Sequence, residues 1–173
     1  MFSDIIRVVW FILPAYVANS IAIDVSGVPF LKKYDTPMDF GRSVGGKRIL
    51  GDGKTWRGFI SGVLAAVLTG YLQQSYQADG FVQMTPLLGF LLGFGALGGD
   101  AAASFIKRRT GLGRGHPVFL LDQLDYVFGA FLAASLVVPL DFPPLFLACL
   151  ITLPIHYISN IVAWLLKLKP KPW

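Results

Sequence analysis

The chain alternates between long apolar blocks and short polar connections, and this alternation predicts most of its architecture. Blocks of about 20 apolar residues are long enough to cross the hydrocarbon of a bilayer as helices. Core helices of a soluble protein are shorter and carry a polar stripe. The pattern therefore predicts an all-α integral membrane protein, a single polytopic domain built as a bundle of five transmembrane helices. The predicted spans are residues 5–23, 58–76, 82–106, 119–140 and 144–166.

Composition supports this prediction and narrows it. The 173 residues are 54% hydrophobic, and the mean hydropathy is +0.61. The first block is not expected to be a cleavable signal peptide, because no small-residue cleavage site follows it and the polar residues Asn19, Ser20 and Asp24 come instead. The single cysteine, Cys149, lies in an apolar block, so a disulfide framework is excluded.

Positive charge is confined to a few segments. All of the 15 Lys and Arg residues except Arg7 lie in three segments, and the other two connections carry one Asp each. With five spans, the basic segments fall on one side of the membrane, which the positive-inside rule makes cytoplasmic. We therefore expect a multi-pass protein of the cell membrane with its N-terminus outside and its C-terminus in the cytoplasm. The basic segments are the cytoplasmic loops 24–57 and 107–118 and the tail 167–173.

Topology and contact with anionic headgroups explain part of this charge, but they do not explain the acids beside it. The chain contains no Glu, and most of its 10 acidic residues lie near the cytoplasmic side. Short carboxylates beside Lys and Arg indicate a cytoplasmic-face site for an anion together with a divalent cation. The acids concerned are Asp35, Asp39, Asp52, Asp100, Asp122 and Asp125.

The third predicted span ends in a polar stripe. Asp100, Ser104, Lys107 and Arg108 follow one another at helical spacing and so share one helix face. Lys107 and Arg108 alone would be ordinary interfacial anchors. A carboxylate about 10 Å deeper on the same face, at 1.5 Å per residue, favours a binding site. The small residues of the segment GFGALGGDAAAS are expected to let a neighbouring helix approach closely.

Two further carboxylates open the fourth span. Asp122 and Asp125 are three residues apart on one helix face and can meet the stripe of the third span. An unpaired carboxylate in lipid costs about 2.5–3.5 kcal/mol on insertion scales, so these side chains need a partner or a function. Converging Asp oxygens suit Mg²⁺, which makes Asp100, Asp122 and Asp125 the predicted catalytic and metal-binding set. The alternative is that they only form ion pairs with Lys107, Arg108 or Arg114.

The segment GDGKTWRG lies at the start of the second span. It lacks the first glycine and the preceding strand of a P-loop, so that motif is rejected. Lys54, Thr55 and Arg57 remain beside glycines at a helix N-terminus, which favours phosphate binding. The alternative is that Thr55 caps the helix and the charges only set topology. Weaker site candidates are Arg114, His156 and Asn160; His116 is weaker still, and Asn19 is expected to join helices.

Taken together, these motifs carry a family resemblance. The run GDAAASFIKRR followed by LLDQLDYVFGA resembles the signature of the CDP-diacylglycerol synthase family. The short chain, GDGKTWRG and DQLD look most like its archaeal branch, the CDP-archaeol synthases. The loop RTGLGRGHPVF departs from the bacterial-type signature because it has no acid and no His-Gly-Gly, so no catalytic role is carried onto it.

The resemblance implies an Mg²⁺-dependent cytidylyltransferase of phospholipid biosynthesis. Its substrates would be CTP and 2,3-di-O-geranylgeranyl-sn-glycerol 1-phosphate, and its products a CDP-lipid and pyrophosphate. Asp100, Asp122 and Asp125 would form the acidic site, and Ser104, Lys107 and Arg108 part of the nucleotide site. No nucleic-acid partner is expected, and the sequence leaves the oligomeric state, the number of metal ions and the role of residues 24–50 open.

Two rival functions stay open on the sequence. A CDP-alcohol phosphotransferase would carry D-G-x-x-A-R with further spaced aspartates, and that string is absent. A small ion channel or transporter could use Asp100 and Asp122 as an ion path, but it would be expected to show repeated halves. No internal repeat is visible in the chain.

Overall fold

The computed structural model describes residues 2–27, 33–76, 79–113, 116, 118, 120–139 and 142–165. This part of the chain forms five helices and one small antiparallel hairpin, so the predicted all-α class is confirmed and the hairpin is an addition. The helices are α1 (Phe2–Gly27), α2 (Trp56–Gln74), α3 (Pro86–Arg109), α4 (Leu121–Ala134) and α5 (Phe142–Leu165). The hairpin strands are β1 (Ser43–Val44) and β2 (Lys47–Arg48).

Threonine caps determine where α2 and α3 begin. The Thr55 hydroxyl accepts a hydrogen bond from the Gly58 amide at 3.2 Å. The Thr85 hydroxyl accepts one from the Leu88 amide at 3.1 Å, and Pro86 stands at the first helical position. Both contacts satisfy amides that the first turn of a helix leaves without partners. At the other end of α3, the last turn is basic, which complements the helix dipole.

Glycines bring α3 against its neighbours, as the small-residue segment predicted. A Cβ on Gly89 would lie 2.5 Å from the Ala66 carbonyl oxygen of α2, and a Cβ on Gly95 would lie 2.3 Å from the Gly129 carbonyl oxygen of α4. Any side chain there would push the backbones apart. Helix α3 is therefore the centre of the bundle, packed closely against α2 on one side and α4 on the other.

The fourth helix is shorter than the predicted span. The pattern gave 119–140, whereas α4 is a helix of 14 residues, Leu121–Ala134, followed by turns and Pro139. At 1.5 Å per residue it is about 21 Å long, against about 30 Å of bilayer hydrocarbon. Helix α4 thus covers only part of the predicted crossing. Its N-terminus, which carries Asp122 and Asp125, lies inside the range that the sequence predicted.

Apolar side chains on the outside of the bundle suit a lipid environment. Within the described residues, Ser3–Val25 and Pro86–Arg109 are long and apolar enough to cross a membrane, and Phe142–Ile155 is a shorter apolar segment. Helix α2 also exposes Ile60, Leu64 and Leu68, which recur every four residues along one face. Exposed apolar surface of this extent is typical of contact with lipid or a partner.

The basic loops and the N-terminus lie at opposite ends of the bundle. The Arg109 guanidinium at the end of α3 hydrogen-bonds backbone carbonyls of the hairpin, so the first basic loop and the start of the second lie at the same end. The ring of Trp10 in α1 packs edge-on against Phe81, with centroids 6.1 Å apart, which places the N-terminal part of α1 beside the opposite connection.

Candidate active site

A loop between the hairpin and α2 runs along the polar face of α3. Its contacts follow in order: Ser104 of α3 donates a hydrogen bond to the Leu50 carbonyl at 3.4 Å, and deeper along the helix the Lys54 ammonium binds the Asp100 carboxylate. Asp100 and Ser104 thus share one face of α3, as predicted, and residues 50–54 lie over that face. This association brings the GDGKTWRG motif together with the GDAAAS motif.

The Lys54–Asp100 ion pair is largely buried within the bundle. The side chain of Lys54 is 25% exposed and that of Asp100 is 28% exposed. Because both groups are largely withdrawn from water, their attraction is stronger than that of a surface pair. Neither is sealed off, so an incoming anion can still reach the lysine.

A second ion pair joins α3 to α4. The Lys107 ammonium donates to the Asp122 carboxylate at 2.6 Å, and the other carboxylate oxygen accepts from the Val118 amide at 3.1 Å. The residue before α4, Leu120, has a positive φ of 67° and offers no capping side chain. Asp122 therefore ties the segment before α4 to the first turn of the helix, in addition to its ion pair. This pairing is the alternative that the sequence left open for it.

Asp125 has a different environment. One carboxylate oxygen accepts a hydrogen bond from the Tyr126 amide at 2.7 Å, and no ion-pair partner within 4 Å is present among the described residues. The carboxylate lies within electrostatic range of both Asp100 and Asp122. Helix α4 can bring Asp125 close to α3 because Gly99 of α3 has no side chain. A Cβ on Gly99 would lie 2.2 Å from the Asp125 carbonyl oxygen.

The three predicted carboxylates thus share one region but do not form a ready metal centre. Two are bound to lysines, and within the described part of the chain no group of three or more acidic, His or Cys side chains could hold an ion as it stands. Their oxygen chemistry does fit Mg²⁺. Binding would require the lysines to move to another anion first.

Two clefts adjoin the Lys54–Asp100 pair. The smaller cleft, about 210 Å³, is lined by the loop and by the C-terminal end of α3. The larger cleft, about 340 Å³, lies between α1, α2 and α3. Both are lined by Gly53 and Lys54. The smaller cleft is also lined by Leu50, Gly51, Asp52, Ser104, Lys107 and Arg108, and the larger one by Asn19, Ala22, Ile23, Met38, Thr55, Gly58, Phe59, Leu97 and Asp100.

Most of the predicted anion-binding residues line these clefts, but one does not. Lys54, Ser104, Lys107 and Arg108 all line the smaller cleft, where Arg108 also donates to the Gly113 carbonyl at 3.1 Å. Arg57 lines neither cleft; its guanidinium is paired with Asp35 at 2.7 Å, and its side chain is only 10% exposed. Arg57 therefore ties α2 to the preceding loop.

The remaining predicted site residues are Thr55, Arg114, His116, His156 and Asn160. Thr55 is buried and lines the larger cleft, and its hydroxyl caps α2, which was the alternative interpretation of this residue. Arg114 lies outside the described residues, and His116 is exposed. His156 and Asn160 lie on α5, but their side chains fall outside the described part of the structure.

The sequence pattern assigned no individual site role to three residues that the structure places at or beside the site. Asn19 of α1, which was expected to join helices, lines the larger cleft between α1, α2 and α3. Arg109, next to the predicted Arg108, holds the hairpin. Asp39, in the segment before the hairpin, has a fully buried side chain. An acid in a polar loop carries no visible sign of burial, which explains why Asp39 was grouped only with the other acids.

The charge of Asp39 is maintained by its surroundings. Burial by itself would raise the pKa of this carboxyl group. Hydrogen bonds from the Arg48 guanidinium and from the backbone amides of Gly51, Leu50 and Gly41 outweigh that effect and hold its pKa below the ordinary value. The carboxylate is therefore ionised over the whole physiological pH range.

Comparisons with known proteins identify the family. A family model described as CarS-like CDP-archaeol synthase matches residues 1–173. A CDP-archaeol synthase of Methanopyrus kandleri is 45% identical over 170 residues, covering 95% of this chain and 91% of the relative. One of Archaeoglobus fulgidus is 43% identical and covers 100% of both chains.

A solved structure is also similar. It is described as an intramembrane enzyme for archaeal membrane lipids biosynthesis, and it matches with a TM-score of 0.77 and 33% identity over 91% of this chain and 94% of that chain. The fold, the paired motifs on α3 and α4 and the full-length matches lead to one conclusion. The chain belongs to the CDP-archaeol synthase family.

Proposed function

We propose that this protein transfers a cytidylyl group from CTP to an isoprenoid ether glycerol phosphate, and that the two substrates meet at Lys54. CTP-dependent cytidylyl transfer in archaeal lipid synthesis is the activity of the family to which the chain belongs. The observation that supports the location is the pair of clefts that share Gly53 and Lys54 and adjoin Asp100. One cleft faces the cytoplasmic loops and the other lies among the helices.

The smaller cleft suits the phosphates of CTP. Three cationic side chains, Lys54, Lys107 and Arg108, line it together with the glycine-containing loop. Cations and hydrogen-bond donors are the groups that bind phosphate oxygens most strongly. Gly51 and Gly53 also allow the loop backbone to approach a ligand closely. In this proposal Lys107 exchanges its contact with Asp122 for a phosphate when CTP binds.

The larger cleft suits the lipid phosphate. Its volume of about 340 Å³ lies in the range of small-ligand sites. Ile23, Phe59 and Leu97 give it apolar walls, whereas Lys54 and Asn19 supply polar atoms. A lipid whose chains remain in the bilayer would place its phosphate at the polar end, against Lys54. Asn19 is in a position to contact the glycerol or the phosphate.

The reaction needs positioning and charge neutralisation rather than a base. The lipid phosphate is already ionised, so one of its oxygens attacks the α-phosphorus of CTP directly. A new P–O bond forms as the bond between the α-phosphorus and the bridging oxygen breaks, and pyrophosphate leaves with the electron pair. Lys54 holds phosphates from both substrates close together, and the partly sheltered site strengthens that attraction. Such positioning and electrostatic stabilisation are the main requirements of phosphoryl-type transfer.

We propose Mg²⁺ as the cofactor, held by Asp125 and Asp100 with Asp122 beside them. Carboxylate oxygens are its preferred protein ligands, and Asp125 has no competing ion pair among the described residues. When bound, the ion supplies further neutralisation of phosphate charge. Because Lys54 and Lys107 bind two of the three acids, arrival of the nucleotide phosphates is what releases these carboxylates.

The membrane arrangement is part of the same proposal. All five helices would be embedded in the bilayer, with the hairpin, the loop and the ends of α3 and α4 facing the cytoplasm and the N-terminus outside. The common position of the two basic loops at one end of the bundle supports this orientation. CTP would then arrive from the cytoplasm and the lipid from the bilayer.

A single assay tests the proposed function. Purified protein is reconstituted in vesicles with 2,3-di-O-geranylgeranyl-sn-glycerol 1-phosphate, Mg²⁺ and CTP labelled in its cytosine ring. We expect equal amounts of pyrophosphate and of labelled, solvent-extractable lipid. Absence of both products would contradict the proposal. A CDP-alcohol phosphotransferase would instead release CMP from a CDP-lipid, and an ion path would produce flux without nucleotide turnover.

A further inference from the structure

The loop that walls the smaller cleft contains two glycines, yet it follows a defined path. The described chain between β2 and α2 contains Gly51, whose φ is +92°, and Gly53. Such a segment loses much conformational freedom on ordering. Its contacts with Ser104 and Asp100 hold it against α3, and two side chains outside the cleft add further support.

The first of these is Asp39, whose carboxylate accepts hydrogen bonds from backbone amides of the loop. It accepts hydrogen bonds from the amides of Leu50 at 2.9 Å, Gly51 at 3.0 Å and Gly41 at 3.0 Å. The Arg48 guanidinium adds contacts at 2.6 and 3.4 Å. All of these donors surround a side chain that is 0% exposed. One buried carboxylate thus fixes the backbone at the start of the cleft wall.

The second is Arg109, which binds the hairpin to the end of α3. Its guanidinium donates to the carbonyl oxygens of Val44 at 2.8 Å, Lys47 at 2.9 Å and Arg48 at 2.6 Å, and it lies 5.3 Å from the ring centre of Phe105. Because Lys107 and Arg108 stand on the same helical turn, this contact fixes the loop relative to the cationic side chains of the cleft.

We infer that Asp39 and Arg109 are positioning residues, which hold the loop wall of the smaller cleft at the correct distance from Lys107 and Arg108 for a nucleoside triphosphate. The inference rests on the proposed use of that cleft for CTP. Neither residue lines either cleft: Asp39 acts through the backbone of Leu50 and Gly51, and Arg109 acts through the hairpin that precedes them. Preorganisation of this kind raises affinity for the ligand because less ordering remains to be done on binding. Leu50 and Gly51 line only the smaller cleft, so the effect on the larger cleft, which shares Gly53 and Lys54, is expected to be smaller.

The test combines substrate kinetics with hydrogen exchange. Asp39→Asn keeps the size of the side chain but removes the charge that Arg48 and the amides need. We expect a rise of tenfold or more in the KM for CTP, with the KM for the lipid phosphate changed less than twofold. The amides of Leu50 and Gly51 should exchange at least tenfold faster without any substrate. Arg109→Lys keeps the charge but not the forked geometry, and a rise of about threefold to fivefold is expected.

Arg42→Ala is the matched control. Arg42 lies in the same loop, carries the same charge as Arg109 and is exposed, so its removal should leave both KM values within twofold. Equal rises in the two KM values, unchanged CTP kinetics in folded Asp39→Asn, or the same defect in Arg42→Ala would overturn the inference. If Asp39→Asn fails to fold, the KM split in Arg109→Lys decides. Failure of the proposed function would show separately, as absent CTP turnover in the unmodified protein.

Discussion

Lys54 of the loop binds Asp100 of α3 where the two clefts adjoin. The pair links two sequence motifs that are 46 residues apart, and it places one cation within reach of both proposed substrates. It also covers a carboxylate that the metal would need. Substrate binding and release of the acidic site are therefore coupled through one side chain, and this coupling makes the following predictions specific.

The three carboxylates should respond differently to loss of charge. In Asp122→Asn, the largely buried Lys107 loses its counterion and the Val118 amide loses a charged acceptor, so the free energy of unfolding should fall by about 1–3 kcal/mol. In Asp125→Asn, no ion pair among the described residues is broken, and a sheltered charge is removed, so stability should hold or rise. Turnover should fall by at least a hundredfold in both variants.

Melting temperature in detergent and turnover with Mg²⁺ are the measurements for this pair. Asp100→Asn should resemble Asp122→Asn, because it too leaves a lysine without its partner. A loss of stability in Asp125→Asn equal to that in Asp122→Asn would show that Asp125 is a structural acid. Full activity in Asp125→Asn would remove it from the metal-binding set.

The close packing of α3 on α4 should be required for the site as well as for the fold. In Gly99→Ala the new methyl group would lie 2.2 Å from the Asp125 carbonyl oxygen, so the helices must separate. We expect a melting temperature lower by several degrees and turnover reduced at least tenfold. Gly98→Ala is the control, because a Cβ at Gly98 has nothing within 4 Å. Its stability should be unchanged or slightly higher, and equal defects in both variants would contradict the packing argument.

The loop amides should keep their protection from exchange until the pH falls below about 4. The pKa of Asp39 is held below its ordinary value, so this residue contributes stability that is complete above about pH 4, the unfolded value, and is lost as the pH falls further. Protection of the Leu50 and Gly51 amides, corrected for intrinsic exchange, should be constant from pH 8 to pH 5. A loss of protection between pH 7 and pH 5 would show that another group controls the loop.

Sequence patterns predicted the helices and the polar stripe because both depend on local periodicity. Asp100, Ser104, Lys107 and Arg108 were recognisable from their spacing alone. The partners of these residues were not, because the association of Lys54 with Asp100 depends on how the loop folds over α3. The extent of α4 was overestimated since apolar residues continue past Ala134, where the backbone turns. Asp39 and Asn19 are isolated polar residues, and no short-range pattern distinguishes a buried or cleft-lining residue from an ordinary one.

The separation of two substrate sites around Lys54 is the central claim, and the KM values of both substrates test it directly. Lys107→Ala and Arg108→Ala should raise the KM for CTP about tenfold or more and leave the KM for the lipid phosphate within twofold. Asn19→Ala should do the reverse, since Asn19 lines only the larger cleft. Lys54→Ala should raise both KM values at least tenfold in protein that remains folded. A change confined to one substrate in Lys54→Ala, or matching changes in the Asn19 and Lys107 variants, would contradict the account.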